Sequence, residues 1–242
     1  MSAEFRQRLA RRLEWQKLIN DPANEPRNQL STLAPLRQWQ SRRLALSFKD
    51  FLANPAMRPA AEFFLSDLYA DRDFSARDRD AARVLPMMSR FLPDSLLRAA
   101  TDAIELAVLS HALDVRMAEH LAARPNRDAA ITLADYTRAY QRGNYGRLRR
   151  HQIELVLRVG QALDAAVKKH GVYKLLKAAR IPAQMAGLSE LQGFLERGFH
   201  AFDALGGADD FLGQVAARER EVSSRLFSAH PKPFDQANSS SR

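Results

Sequence analysis

Two carboxylates, Glu105 and Asp67, are the side chains of this sequence best placed to do chemistry, because each falls among apolar residues rather than in a polar loop. On a helix, Arg98, Thr101, Asp102 and Glu105 share one stripe whose next turn is Val108, Leu109 and Ala112, so Glu105 stands where a solvated face passes into a core. An ionised acid there is costly unless it is paired or neutralised, and strongly perturbed acids concentrate at functional sites. The alternative is an ion pair with an arginine of the same or a neighbouring helix. Phe63, Phe64, Phe199 and Phe202 complete the aromatic and carboxylate-lined pocket expected of a helical enzyme or small-ligand carrier.

Other chemistries are excluded by what is missing. The 242 residues contain no cysteine, which removes disulfides, thiol nucleophiles, zinc fingers and iron–sulfur clusters. No Asp or Glu is followed three residues later by His, the spacing by which helical bundles build carboxylate–histidine metal centres. His-Glu-x-x-His, Gly-x-Ser-x-Gly, Walker and Gly-x-Gly-x-x-Gly motifs are absent too. His111 and His120 lie in an apolar helical pattern without a spaced acid, and His151 lies on the stripe of Arg147, Arg150, Glu154 and Arg158. His200, between Phe199 and Ala201, gives haem ligation only a very weak signal, one histidine beside aromatics. No cofactor and no metal is expected.

Recognition of anions is the chemistry that the charge offers, with solvated basic helix faces as the alternative. The formal charge is +9, and it is concentrated in residues 1–45, with 9 basic and 4 acidic side chains, and in residues 131–180, with 11 and 3. Clustered cations attract phosphates, nucleic acid or anionic lipid more effectively than dispersed ones. In the second segment Arg147, Arg149, Arg150 and His151, then Lys168, Lys169, His170, Lys174, Lys177 and Arg180, occur with Tyr136, Tyr140, Tyr145 and Tyr173. Cations that neutralise phosphates, beside rings on which bases stack, are what a nucleic-acid surface needs. No helix-turn-helix, RNA-recognition or zinc-finger signature accompanies them, and the tyrosines serve equally well as core anchors. Arg147, Arg149, Arg150, Lys168, Lys169, Lys174, Lys177 and Tyr145 are the candidate contacts to an anionic partner.

The elements that must position these residues are helices, since glycine is scarce and the apolar residues recur at helical spacing. Phe5, Leu9 and Leu13 form one stripe while Arg6, Arg8, Arg11 and Arg12 cover the rest. This predicts a basic amphipathic helix that either meets a membrane surface or partner through residues 3–19 or docks on the body. Glu4 and Glu14 argue against a transit peptide. Pro22 and Pro26 mark a connector, so residues 1–30 form a helix and linker ahead of a helical domain over 31–228. Within that domain helices are predicted over 32–52, from Pro59 through the apolar run ending at Tyr69, from Ser75 to Leu92 with Pro86 as a bend, over 94–123, from a Thr132/Asp135 cap, over 147–170, over 172–179, from a Ser189/Gln192 capping box, and from an Asp209 cap to Phe227. Gly206 and Gly207 form a stop, and residues 229–242 lack the apolar content to order themselves.

Phe63-Phe64-Leu65-Ser66-Asp67-Leu68-Tyr69, with Asp73-Phe74-Ser75, Arg77-Asp78, Ala103-Ile104-Glu105-Leu106 and the stretch from Leu191 to Phe199, resembles an uncharacterised bacterial family named for its FFLEELY motif. The resemblance covers roughly residues 60–228. Ser66 and Asp67 stand where the family tends to have two glutamates, which leaves no carboxylate at the first of these positions. The family carries no assigned activity, so the resemblance implies a single, mostly helical bacterial protein without a mechanism.

The sequence therefore predicts an all-α protein, a bundle of about eight to ten helices in one main domain. No stretch approaches the roughly 20 apolar residues of a membrane-spanning helix, and the start lacks the apolar core of a signal peptide, which makes the cytoplasm the expected location. The leading expectation is a non-enzymatic binding or interaction protein that turns a basic face toward an anionic partner. The pocket-bearing enzyme or carrier is the alternative.

Overall fold

The computed structural model describes residues 3–68, 80, 83–84, 94–126 and 128–235, with 3–6, 68, 94 and 96 described by backbone alone. The expected helix from Ser75 through Pro86 to Leu92, and Tyr69 of the apolar run, lie outside the described residues. The helices are α1 (Ala3–Asn20), α2 (Leu33–Ser47), α3 (Lys49–Ala53), α4 (Arg58–Phe63), α5 (Asp94–Ala122), α6 (Leu133–Arg142), α7 (Gly146–Val167), α8 (Val172–Ala178), α9 (Arg180–Met185), α10 (Ser189–Asp203) and α11 (Asp209–Phe227). A 3₁₀ turn, Pro26–Gln29, precedes α2, and a π-helical turn, Phe64–Leu68, continues α4. The all-α, one-domain architecture is as the sequence predicts. Eleven α-helices among the described residues exceed the expected eight to ten partly because Phe48, at φ −104° and ψ 12°, divides the 32–52 segment in two.

Three apolar clusters hold the bundle together. In the first, Leu44, Phe48 and Phe51 meet Phe63 and Phe64, Phe202 of α10, Phe211, Leu212 and Val215 of α11, and Val156 of α7. The Phe211 ring lies 5.1 Å from Phe51 and 5.4 Å edge-on from Phe64, separations at which aromatic pairs attract. A Cβ on Gly160 would stand 2.5 Å from a Leu212 methyl, so glycine there is what lets α7 and α11 close on each other. The second cluster joins Leu33 and Leu36 of α2, Val115, Met117 and Leu121 of α5, Tyr136 and Tyr140 of α6, and Leu226 of α11. The third is the seam by which α1 docks on α5: Leu9 and Leu13 against Leu97, Ile104 and Val108.

The helix ends show which capping signals tertiary packing respects. Thr132 and Asp135 make the expected capping box. At α10 the cap position falls on Leu188, and Gln192 is turned inward to donate to the Leu176 carbonyl at 2.8 Å, tying α10 to α8. Asp209 is the first residue of α11 rather than its cap. The buried amide of Ala208 finds its acceptor in Asp164 of α7 at 3.1 Å, and so satisfies a donor that is expensive to leave unpaired. The chain beyond α11, read from composition as lacking the means to order itself, folds back far enough to place the Phe234 ring 5.7 Å from Trp39. Pro233 is buried beside it, Arg43 lies 5.5 Å over the Phe234 ring and Arg225 donates to the Asp235 carbonyl, so several contacts hold the segment up to residue 235.

Candidate functional site

The two nominated carboxylates lie at different junctions. Glu105, partly buried, projects from α5 where α1 and α7 converge; its Oε2 pairs with Arg12 Nη2 of α1 at 2.9 Å and its Oε1 with His151 Nε2 of α7 at 2.9 Å. This is the interhelical arginine pair that the sequence left as the alternative, with a histidine added that reasoning along one helix could not see. Asp67, only 3% exposed, sits in the π-helical turn. Its Oδ1 accepts from Arg197 Nε at 2.9 Å and Nη2 at 2.6 Å, and its Oδ2 from the Ser66 hydroxyl at 2.7 Å.

The aromatic candidates serve as packing. Phe63 contacts Phe194 at 5.4 Å, Phe64 and Phe202 stack at 6.4 Å in the first cluster, and Phe199 stacks on Tyr173 at 5.3 Å. His111 is held by Arg37 Nη2 at Nδ1, 2.8 Å, and by Asn28 Oδ1 at Nε2, 2.7 Å, a pattern that fits the neutral ring with its proton on Nε2. Burial, then the Arg37 charge, holds its pKa below the usual histidine range. Among the described residues no three metal-ligating side chains converge, and no helix is long and apolar enough to cross a membrane.

The basic segment, continuous in sequence, is divided in space. Helix α7 has 22 residues, so Arg147 and Lys168 lie about 30 Å apart at its opposite ends. At the first end Arg147 and Arg150 line an open depression of about 380 Å³ with Asn144, Tyr145, Gly146 and Leu148. Arg149 turns the other way: its guanidinium lies 4.7 Å over the Tyr140 ring and donates to Gln152 and Met117. Tyr136 and Tyr140 are buried core residues, so neither is open to a base.

At the second end Lys168, Lys169, Lys174 and Lys177 are all exposed. Lys168 bonds Asp164 at 2.6 Å and Lys177 lies 5.1 Å over the Tyr173 ring, while Lys169 and Lys174 meet no carboxylate among the described residues. Arg180 is paired with Glu196 at 2.7 Å, and this pairing, with a bond from Gln192, lowers the Glu196 pKa to about 2. Neither α8 nor α9 contains a buried residue. Between them they present Leu175, Ile181 and Met185 to solvent at 72%, 68% and 86% exposure. The sequence reading missed these three side chains. The signal that could have found them is the stretch 165–189, which holds five Lys and Arg and no Asp or Glu.

A family model described as a domain of unknown function, DUF8198, matches residues 20–233. The chain belongs to this family. An uncharacterised family is what the resemblance in the sequence implied. The DUF8198 match takes in α2 through α11, both nominated carboxylates and both ends of α7, and it begins on the last residue of α1. No curated protein and no solved structure matches this DUF8198 chain.

Proposed function

We propose that the protein is a non-enzymatic cytoplasmic binding protein that engages an anionic partner through the lysines at the C-terminal end of α7 and on α8. The observation that carries this reading is the set Lys168, Lys169, Lys174 and Lys177, exposed within ten residues of chain, of which only Lys168 is held by a carboxylate among the described residues. Exposed ammonium groups without counter-charges raise the local concentration of anions and speed their encounter. The Glu105 and Asp67 carboxylates serve this reading as ties within the bundle, since each is already bonded to an arginine.

The test is a titration of the full chain with heparin across a range of salt. Affinity falls steeply with salt, as it does when a polyanion's counterions are released, and the combined change Lys169→Ala, Lys174→Ala and Lys177→Ala removes most of it. A titration that is flat in salt, or indifferent to those three changes, overturns the reading.

A further inference from the structure

The same surface has a second property, apolar exposure, that identifies the class of its anionic partner; the inference rests on the reading above. We propose that α8 and α9 form a ledge that seats this protein on an anionic lipid bilayer, with Leu175, Ile181 and Met185 entering the headgroup region and Lys169, Lys174 and Lys177 meeting lipid phosphates and carboxylates.

The geometry of the ledge is that of a helix lying flat in an interface. Helical hydrogen bonds from Ala179 N to Leu175 O and from Ala183 N to Ala179 O, at 2.9 and 2.8 Å, carry across the break between α8 and α9. Residues 172–185 therefore present a continuous outer face on which Ile181 and Met185, four apart, share a stripe. Val172, Leu176, Ala179 and Ala183 are half-buried on the inner side, whereas Leu175, Ala178, Ile181, Pro182 and Met185 are exposed. Three of the nine large exposed hydrophobic side chains among the described residues fall within the eleven positions 175–185. With no buried residue in either helix, and with Leu175, Ile181 and Met185 on the exposed side, the core does not require these three side chains.

Charge and side-chain type then separate the possible partners. No Asp or Glu lies in 165–189, so an approaching anionic surface meets no repulsion from this stretch. Nucleic acid gains affinity from stacking on rings and little from aliphatic side chains, and the ring nearest the lysines, Tyr173, is stacked on Phe199 and covered by Lys177. Protein interfaces are enriched in Arg and depleted in Lys. Lysines flanking Leu, Ile and Met instead suit a fluid array of headgroups, because their stems lie along apolar surface while the ammonium stays at the phosphate level.

The experiment is co-sedimentation of the full chain with phosphatidylcholine vesicles containing phosphatidylserine and with phosphatidylcholine vesicles alone. The variants are Ile181→Gln with Met185→Gln, and the triple lysine-to-alanine change; heparin binding is measured on each. All five positions are exposed, and circular dichroism checks that helicity is kept. The native chain sediments with the serine-containing vesicles only. The glutamine pair weakens that binding about tenfold or more and leaves heparin affinity unchanged, while each lysine removed costs about fivefold in vesicle affinity. A native chain that binds heparin and ignores the vesicles overturns the lipid inference and leaves the anionic reading standing. Vesicle binding unaffected by the glutamine pair overturns it too, as does tighter binding to short duplex DNA with the same indifference. Failure to bind either heparin or vesicles overturns both readings.

Discussion

The two ends of α7 carry the same sign of charge and differ in nearly everything around it. At the Gly146 end the helix begins against the Phe227 ring, Arg149 is spent on Tyr140, and the returning tail packs Phe234 toward Trp39 and Tyr136. Arg147 and Arg150 are left at the rim of a shallow depression. At the Val167 end the chain runs into two short helices that contain no fully buried residue and display three large aliphatic side chains among lysines. A charge cluster read along a sequence is thus two surfaces in space: one is the solvated edge of a sealed core, and the other is an amphipathic ledge whose composition the core does not explain.

The first way to break this comparison is to ask whether the ends belong to one cooperative body. Phe211→Ala empties the ring cluster that backs α7, and is expected to destabilise the fold by about 3–5 kcal/mol. A single denaturation transition at lower denaturant supports one body, whereas two separated transitions would show that the ends fold apart. Asp164→Ala sharpens the contrast. It orphans the buried Ala208 amide and so costs about 1–3 kcal/mol, yet it also frees Lys168, so the less stable protein should hold heparin more tightly.

A titration in acid reaches the histidines of α5. His111 and His120 both have their pKa lowered, first by burial and then by Arg37 and Arg142 respectively. Their unfolded forms bind protons near pH 6.5 while the folded forms resist, so stability is full above that pH and is lost as pH falls toward the folded values. Glu196, lowered to about 2, and Asp135, held low against its burial by bonds from Thr132, Arg138 and Arg124, keep their charge through that window. Replacing His111 by Gln should flatten part of the slope between about pH 7 and 5.5, measured as denaturation midpoint against pH. The smallest expected effect on stability is at the ledge itself. Ile181→Gln with Met185→Gln should move it by no more than about 0.5 kcal/mol, and a larger loss would mean that these side chains pack in solution.

Most of the fold was legible because helix formation is local. The Thr132 and Asp135 box needs four residues, and the long apolar patterns that became α5 and α7 repeat every turn. What escaped the sequence depends on partners far along the chain. Asp164 serves α11 from α7, Gln192 turns from cap to interhelical tie, and Glu105 takes Arg12 and His151 from two other helices. The candidate site was legible in charge alone. Spacing along one chain cannot say that Arg149 points inward while Lys174 points out, nor that Leu175 and Met185 stand exposed.

The central claim, that the lysine end and not the arginine end is the binding surface, is tested by two variants matched in net charge: Lys169→Ala with Lys174→Ala in one, Arg147→Ala with Arg150→Ala in the other. The measurement is the salt concentration at which each full-length variant leaves a heparin surface. The lysine variant should leave at far lower salt than the native chain and the arginine variant close to the native value. Equal shifts in the two, or a larger shift in the arginine variant, would contradict the account.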